Sequence, residues 1–453
     1  MLVPRCARML RTFFESPVDI ASLIVFRILF GTIMACEMLR YATYGWIERD
    51  YVQPAHHFTF YGFDWVKPWP GPLMHLHFAV LLVAAVCVAV GFQTRLNAGL
   101  LGLGMGYVFL LEKSNYLNHL YLVTLIGFLM TVPPLSRRWA IDSARQPRER
   151  QDWAPRWQLW LLRLQIAIPY VYGGIAKINP DWLIRGEPMR AWLTGASDWP
   201  LVGAYVTREP VVMFTSWAGC VFDLLIVPAL LWRRTRPLAA LAMLAFHVTN
   251  SQLFEIGIFP WMMLAGSTLF FEPGWPRDLV RRVRRALGRP ELPEPADTRP
   301  WESARARLPA ALVGAYVLVQ LILPFRHHLY PQNVMWSEEG QRFSWFMKSH
   351  HKESEGRFFA RVLPAGPEWE VQPRDYLTER QEHAMLIWPD MIQDFARLAA
   401  QDLHEKTGQR VAIRAAVTCS LNGRPPRPLT DPTIDLAAQP RTLSPASWIL
   451  PLD

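Results

Sequence analysis

The stretch LMHLHFAVLLVAAVCVAVGFQ, residues 73–93, contains no Asp, Glu, Lys or Arg. An α-helix that crosses the hydrocarbon core of a bilayer needs about 20 apolar residues, roughly 17 to 25 with tilt. Apolar segments of the same kind lie on both sides, at 19–40 and at 97–113. The bilayer therefore decides the fold, and the sequence predicts a polytopic α-helical membrane bundle.

The composition agrees with this interpretation. Of 453 residues, 51% are hydrophobic and only 19% are charged, and there are 20 Trp and 24 Phe. Trp and Tyr concentrate at membrane–water interfaces, which accounts for such an aromatic surplus. The hydropathy pattern predicts about nine transmembrane helices, at 19–40, 73–93, 97–113, 119–134, 158–177, 211–233, 236–252, 258–272 and 307–326.

Arginines set the predicted orientation. They cluster in the N-terminal arm (Arg5, Arg8, Arg11), at 137–156, at 233–236 and at 277–289. With nine spans all four clusters fall on one face, which the positive-inside rule makes cytoplasmic. The N-terminus is then cytoplasmic and residues 327–453 are extracytoplasmic, after a transmembrane domain of residues 1–326. The first apolar run is long and lacks a small-residue cleavage site, so we expect a retained helix rather than a cleaved signal peptide.

The C-terminal region has a different pattern. Residues 357–363 and 410–418 alternate apolar and polar side chains, which indicates strands. Residues 389–407 between them have a helical period that stops at Gly408. The region is predicted to be a small α+β domain. The segment 287–305, rich in Pro, Glu and Arg, is predicted to be a solvated linker.

Several function classes find no support. The five cysteines have no paired spacing, and the adjacent histidines lack acid or Cys partners at ligand spacing, so no metal is expected. The net charge of +9 sits in a few loops and describes topology, so no nucleic-acid partner is predicted. Gly102, Gly104 and Gly106 lie inside a span, where small residues favour close helix packing rather than nucleotide binding.

Polar residues collect at three predicted helix ends. Asn118 and His119 begin the fourth helix, Lys177 ends the fifth, and His247 and Asn250 lie at the end of the seventh. All three ends reach the extracytoplasmic interface, and convergent polar groups walled by apolar helices are typical of a binding site. A snorkelling lysine and hydrogen-bonded interfacial histidines remain the simpler alternatives.

Two charges lie deeper. Arg163 and Asp223 are predicted at similar depths in the fifth and sixth helices, where an unpaired charge is costly. We predict that Arg163 pairs with Asp223 or another acid as a structural bridge.

Four long motifs resemble the vitamin K-dependent γ-glutamyl carboxylases. They are YVFLLEKSNYLNHLYL (107–122), GGIAKINPDW (173–182), NSQLFEIGIF (250–259) and WSEEGQRFSWFMKSHH (336–351). The similarity runs collinearly over most of the chain. The membrane part resembles the wider group of horizontally transferred transmembrane (HTTM) domains, whose members need not be carboxylases.

The resemblance implies a peptidyl-glutamate 4-carboxylase. Vitamin K hydroquinone (phylloquinol or menaquinol) and O2 give the epoxide, and the strong base formed on the way lets CO2 add to the γ-carbon of a glutamate in a peptide or protein. Lys177 falls on the catalytic lysine of the family, with a neutral amine that deprotonates the quinol. Asn118 and His119 would hydrogen-bond the quinol oxygen, and His247 and Asn250 would complete that pocket. Glutamate binding would fall to Trp345, His350 and His327.

The sequence also departs from the family pattern. Ala176 replaces the first of two adjacent lysines, and Gly340–Gln341 replaces Leu-Tyr in the glutamate region. The long C-terminal extension of the animal enzymes is missing, so we expect a bacterial inner-membrane form, without propeptide capture. Two alternatives stay open: a quinol-dependent membrane oxygenase that does not carboxylate glutamate, and a non-catalytic membrane scaffold or transporter. The inverted repeats typical of transporters are not found.

Overall fold

The computed structural model describes residues 12–254, 256–290 and 310–452. The arginines predicted for the N-terminal arm, residues 291–305 of the predicted linker and the first residues of the last predicted span lie outside the described residues.

Within these ranges, twelve helices have eight residues or more. They are α1 (Ala21–Thr43), α2 (Pro72–Val90), α3 (Thr94–Leu111), α4 (Asn118–Leu129), α5 (Arg156–Ala176), α6 (Glu209–Leu231), α7 (Arg236–Leu253), α8 (Phe259–Ser267), α9 (Trp275–Ala286), α10 (Ala310–Ile322), α11 (Glu379–Ile387) and α12 (Pro389–Thr407). Shorter α-helices are Ile141–Arg145, Pro180–Leu183, Met189–Thr194, Gly203–Val206 and Val334–Ser337.

Six of the described helices are long and apolar enough to cross a membrane. They are α1, α2, α3, α5, α6 and α10, the last taken together with the 3-10 helix that follows it and ends at Leu329. The helices α4 and α8 are apolar but shorter, the latter even with its 3-10 extension to Phe270. The last turns of α7 carry Asn250, Ser251 and Gln252, which reduce its hydropathy. The protein is therefore a mostly helical multi-pass membrane protein, and the predicted count of nine spans is not confirmed.

Glycines let pairs of these helices approach closely. A Cβ on Gly102 of α3 would lie 3.1 Å from the backbone nitrogen of Phe128 in α4, which confirms the predicted packing role of Gly102. A Cβ on Gly174 of α5 would lie 3.1 Å from the backbone nitrogen of Leu224 in α6. This second contact fixes the level at which α6 passes the end of α5.

The C-terminal region contains a four-stranded antiparallel sheet. Its strands are β3 (Lys352–Val362), β4 (Glu368–Val371), β5 (Val411–Leu421) and β6 (Arg427–Pro428), in the order β4-β3-β5-β6; β1 (Pro17–Asp19) and β2 (Trp153–Pro155) pair separately. Helix α12 packs on the sheet through Phe395, whose ring meets that of Phe358. It ends at Gly408, which takes a φ of 69°. The two predicted strands and the helix between them are confirmed.

Ion pairs attach this region to the membrane helices. Lys113, at the end of α3, is 3% exposed and donates to Asp390 at 2.8 Å and to Asp394 at 2.5 Å, both on α12. Burial opposes ionisation of Asp390, but the attraction of Arg342 and Lys113 outweighs it and holds the pKa of Asp390 well below its usual range. The buried Lys113 ammonium therefore depends on carboxylates supplied from far along the chain.

We expect Asp394→Asn to loosen this attachment, because it removes one of the two carboxylates that compensate the buried ammonium of Lys113. A hydrogen bond to a charged group contributes about 1.5–3 kcal/mol to stability. Thermal unfolding in detergent should show a lower midpoint, and limited proteolysis should cut the C-terminal region sooner. Glu355→Gln, on the exposed part of β3, is the matched control. Equal midpoints for the two variants would contradict the role of Lys113.

Candidate functional site

A cavity of 690 Å³ lies among α5, α6 and α7, close to the end of α5. Its polar lining groups include all five residues that the sequence predicted at the three helix ends: Asn118, His119, Lys177, His247 and Asn250. Its other walls are largely aromatic and include Trp182, Trp192, Trp199, Phe214, Phe222 and Phe246. The volume lies within the range of about 300–1,000 Å³ that is usual for small-molecule sites.

Lys177 is 6% exposed and forms a buried ion pair. Its Nζ donates to Oδ2 of Asp223 at 2.7 Å and to the carbonyl of Gly173 at 3.2 Å. The carbonyl of Met347 lies 3.5 Å away, at the limit of a hydrogen bond. Three acceptors match the three N–H bonds of an ammonium. The geometry is thus that of a protonated lysine held by a carboxylate.

The predicted pairing of Arg163 with Asp223 is wrong. Arg163 donates to the carbonyls of Leu269 at 2.8 Å and Phe271 at 3.1 Å. These carbonyls lie at the C-terminal end of the 3-10 helix Thr268–Phe270, which follows α8. Carbonyls at a helix end have no partner within the helix, and the guanidinium of Arg163 supplies one. Asp223 lies at the level of Gly173 instead, because α6 begins beyond the end of α5 and passes Gly174 closely.

His247 lies in the second half of α7 and is 1% exposed. Its Nε2 is 2.7 Å from the hydroxyl of Tyr170, which lies two helical turns before Lys177 on α5. Its Nδ1 is buried and has no hydrogen-bond partner among the described residues. Since buried polar atoms are nearly always paired, this nitrogen is available to a ligand in the cavity.

His119 and Asn118 begin α4 on another side of the cavity. His119 is 7% exposed, and its ring lies 6.2 Å from that of Phe259. The Asn118 side chain accepts from the Tyr116 hydroxyl at 2.9 Å and donates to the carbonyl of Phe346 at 3.4 Å. Asn118 is therefore oriented by its neighbours, whereas no hydrogen bond holds the His119 ring within the described parts of the chain.

A segment of the C-terminal region enters the membrane bundle beside the cavity. Phe343, Trp345 and Lys348 have φ values of 67°, 60° and 47°, which are costly for residues with a side chain. The path brings Met347 and Lys348 to the cavity wall. It also delivers the carbonyls of Phe346 and Met347 to Asn118 and Lys177. The strained backbone thus connects the C-terminal region to the two polar groups.

The three residues predicted to bind glutamate do not line this cavity. Trp345 is fully buried in the hydrophobic core of the helical bundle, with its ring 5.1 Å from Tyr121. His350 Nε2 lies 2.9 Å from Glu338, and His327 Nδ1 lies 2.9 Å from the carbonyl of Pro324. The two histidines thus have hydrogen-bonding partners within the protein, whereas Trp345 is held by packing and its indole nitrogen has no hydrogen-bond partner among the described residues.

Asp181, four residues after Lys177, is held by the turn that follows β5. Arg424 donates to both of its oxygens at 2.6 Å, and Asn422 donates at 2.8 Å. Burial opposes this arrangement, but the hydrogen bonds from Arg424 and Asn422 keep the pKa of Asp181 below its usual value. The backbone N–H of His351 donates to the Asn422 side chain at 2.9 Å. One turn therefore fixes both the segment after Lys177 and the end of segment 336–351.

Three groups at the site were not predicted from the sequence to belong to it: the Asp223 carboxylate, the Tyr170 hydroxyl and the Met347 carbonyl. Tyr170 was detectable, since a polar residue seven positions before Lys177 lies on the same helix face. Asp223 was noticed as a charge in a span but assigned to the wrong partner. The contact of the Met347 carbonyl could not be predicted, because every residue has a backbone carbonyl and its direction depends on the path of the chain. Among the described residues, no group of three or more His, Cys, Asp or Glu could hold a metal ion.

If Lys177 and Asp223 stabilise each other, the effects of replacing them on the unfolding temperature should not add up. Asp223→Asn leaves a buried ammonium and Lys177→Met leaves a buried carboxylate, so each single variant should unfold at a clearly lower temperature in detergent. The double variant has no charge to compensate, and we expect its midpoint to exceed that of at least one single variant. The coupling energy should be roughly 1–3 kcal/mol. Additive effects would mean that the two groups do not interact.

Two family models match the chain. The model of the HTTM domain matches residues 15–275, which is more than half of the chain, and includes every membrane helix that lines the cavity. The model of the lumenal domain of vitamin K-dependent gamma-carboxylases matches residues 305–453, which include the sheet and the segment that enters the bundle. No solved structure matches the chain significantly. The resemblance predicted from the motifs is confirmed, and the protein belongs to the HTTM-domain family as a vitamin K-dependent gamma-carboxylase-like member.

Proposed function

We propose that the protein is a peptidyl-glutamate 4-carboxylase that oxidises a vitamin K quinol. The observation that carries this proposal is a largely apolar cavity in which Lys177, Asp223 and two buried histidines meet. The quinol, a substrate here, reacts with O2 to give its epoxide, and the strong base formed on the way removes a γ-proton from glutamate so that CO2 can add. The proposed reaction uses no metal.

Lys177 is the proposed general base. From the ion pair, Nζ passes a proton to Oδ2 of Asp223 across 2.7 Å. The neutral amine then rotates about its Cε–Nζ bond, so that its two N–H bonds face Asp223 and Gly173 and its lone pair replaces the weakest contact, to the Met347 carbonyl at 3.5 Å. In this orientation the lone pair can take the proton of the quinol hydroxyl. Asp223 thus stores one proton, and the final state pairs the Lys177 ammonium with the quinol anion. A positioned base of this kind is worth about 10²–10⁴ in rate.

The remaining polar groups orient the quinol. We propose that Asn118 and His119 hydrogen-bond one oxygen, and that the unpartnered Nδ1 of His247, with Asn250, serves the opposite side of the pocket. The hydroxyl of Tyr170 fixes the His247 ring by its contact with Nε2. Hydrogen bonds aimed at an oxygen that gains negative charge favour its ionisation, and they are stronger where water is excluded.

The walls keep the site dry. Rings of Trp182, Trp192, Phe222 and Phe246 surround the polar groups, and the rings of Phe222 and Phe246 stack at 3.8 Å. Water would protonate a base strong enough to remove a γ C–H proton, so its exclusion is a requirement of the chemistry. The isoprenoid part of a quinol also needs apolar surroundings. Both requirements favour a site within the membrane region.

We further propose the orientation and the division of the chain. The N-terminus is cytoplasmic, residues 1–326 form the transmembrane quinone domain, and residues 327–453 form an extracytoplasmic domain that receives a glutamate-containing peptide or protein. This arrangement follows from the arginine clusters and suits a bacterial inner membrane. The proposed partners are membrane lipid and the peptide, without nucleic acid.

One observation favours a second candidate, a quinol-dependent oxygenase that does not carboxylate glutamate. Gly340 takes a φ of 74°, and a Cβ there would lie 2.6 Å from Cα of His327. The carboxylases that the sequence resembles have a Leu at this position, and a Leu does not fit this backbone. The segment around Gly340 therefore follows a path that a Leu at this position would not allow. Incorporation of 14C bicarbonate into a glutamate peptide distinguishes the two functions, since epoxide without incorporation would favour the oxygenase.

We expect Lys177→Arg to abolish quinol epoxidation while leaving the protein folded. An arginine keeps the charge beside Asp223, but it stays protonated and cannot serve as a base. The epoxide formed by purified protein with vitamin K hydroquinone and O2 should fall at least about 100-fold, as it should for Lys177→Ala. Lys406→Ala, on the exposed face of α12, is the control with full activity. Full epoxidation by Lys177→Arg would remove the assignment of the base.

A further inference from the structure

A second cavity, of 1350 Å³, adjoins the Lys177 cavity. We call it the arginine chamber, after Arg40, Arg49 and Arg380 in its lining. Both cavities share Leu117, His119, Leu253, Phe254 and Ile256. Among these described residues His119 alone has a polar side chain, and its imidazole borders both spaces.

Among the described residues that line the arginine chamber, the arginines outnumber the carboxylates. Nη1 of Arg40 donates to Glu37 at 2.8 Å, and Nε and Nη2 of Arg49 donate to Asp50 at 2.6 Å and 2.8 Å. Arg380, at the start of α11, has an amide partner instead, since its Nε donates to Oδ1 of Asn115 at 2.8 Å. Within the described parts of the chain, no carboxylate pairs with Arg380.

Arg380 is thereby oriented but not neutralised. A guanidinium has five N–H bonds, and a contact through Nε alone leaves its two terminal nitrogens available for a bidentate carboxylate. Asn115 is buried, and it lies four residues before His119 in the turn that joins α3 to α4. The amide that aims Arg380 is thus part of the same turn that leads to the shared imidazole.

We infer that the arginine chamber receives the acidic peptide substrate and that Arg380, aimed by Asn115, binds a glutamate carboxylate there. This inference rests on the proposed function and replaces Trp345, His350 and His327 in the role of glutamate recognition. A peptide held by Arg380 lies on the other side of His119 from Lys177. The two substrates then meet at one imidazole without sharing a cavity.

The experiment measures peptide affinity directly. A dye-labelled peptide of Gly and Ser with two Glu residues, and its twin with Gln in both positions, are titrated against purified protein in detergent and followed by anisotropy. The wild type should prefer the Glu peptide. Arg380→Gln should weaken its binding about ten-fold or more without changing the Gln twin, since a hydrogen-bonded charge is lost. Arg380→Lys should restore part of the preference.

Two further variants make the test specific. Asn115→Asp places a carboxylate beside Arg380 at almost unchanged volume, and it should also remove the preference for Glu. Arg374→Gln alters an exposed arginine that pairs with Glu379 and Glu382 outside the chamber, and its affinities should match the wild type. If Arg380→Gln does not fold, Asn115→Asp and Arg380→Lys carry the test.

Three results would overturn the inference: equal affinity of the wild type for both peptides, an unchanged preference in Arg380→Gln, or an unchanged preference in Asn115→Asp. A lipid occupant is the competing reading. Native mass spectrometry in phosphatidylglycerol nanodiscs would then show lipid lost from Arg380→Gln while peptide preference persists. Epoxide formation on the same preparation reports separately on the proposed function. A protein that prefers Glu but makes no epoxide supports the inference and contradicts the function.

Discussion

The buried ion pair between Lys177 and Asp223 constrains the rest of this structure. A lysine ammonium that is 6% exposed within a largely apolar cavity requires a carboxylate within contact distance, and helix α6 supplies it through Asp223. That requirement fixes α6 against α5, which in turn favours glycine at position 174, because a Cβ there would lie 2.8 Å from the Leu224 side chain and 3.1 Å from its backbone nitrogen. The same pair also makes base chemistry feasible, since the carboxylate can hold the proton that the amine releases. Charge, packing and chemistry thus converge on one contact.

The C-terminal region completes the site from outside the bundle. In its segment 336–351, the residues other than glycine that have positive φ angles include Phe343, Trp345 and Lys348. Such positions cost of order 1–3 kcal/mol each, so the packing around them must compensate. Trp345 supplies part of that compensation by burying its whole ring in the helical core. In return the carbonyls of Phe346 and Met347 reach Asn118 and Lys177. A region that folds mostly outside the membrane helices is therefore connected directly to the proposed base.

The sequence predicted much of this because two of its signals are local. Long apolar runs specify helices wherever they occur, and alternation with a stop at Gly408 specified the strands and helix of the C-terminal region. The convergence of Asn118, His119 and Lys177 followed from helix ends that share one depth. The partner of Asp223 did not follow, because its depth was counted from the start of α6, which lies beyond the end of α5. The path of Trp345 was equally hidden, since its φ of 60° is imposed by long-range packing rather than by neighbouring residues.

The proposed reaction makes opposite demands on water, and the two cavities separate them. A strong base survives only where water is excluded, which suits the aromatic walls around Lys177. A peptide that carries carboxylates must arrive hydrated and exchange water for charged hydrogen bonds, which suits the guanidinium groups beyond His119. A single cavity would have to be dry and charged at once, and burying several carboxylates in it would be prohibitively costly. The His119 side chain lines both spaces, so the proposed reaction can keep the quinol and the peptide in separate surroundings that meet at one imidazole.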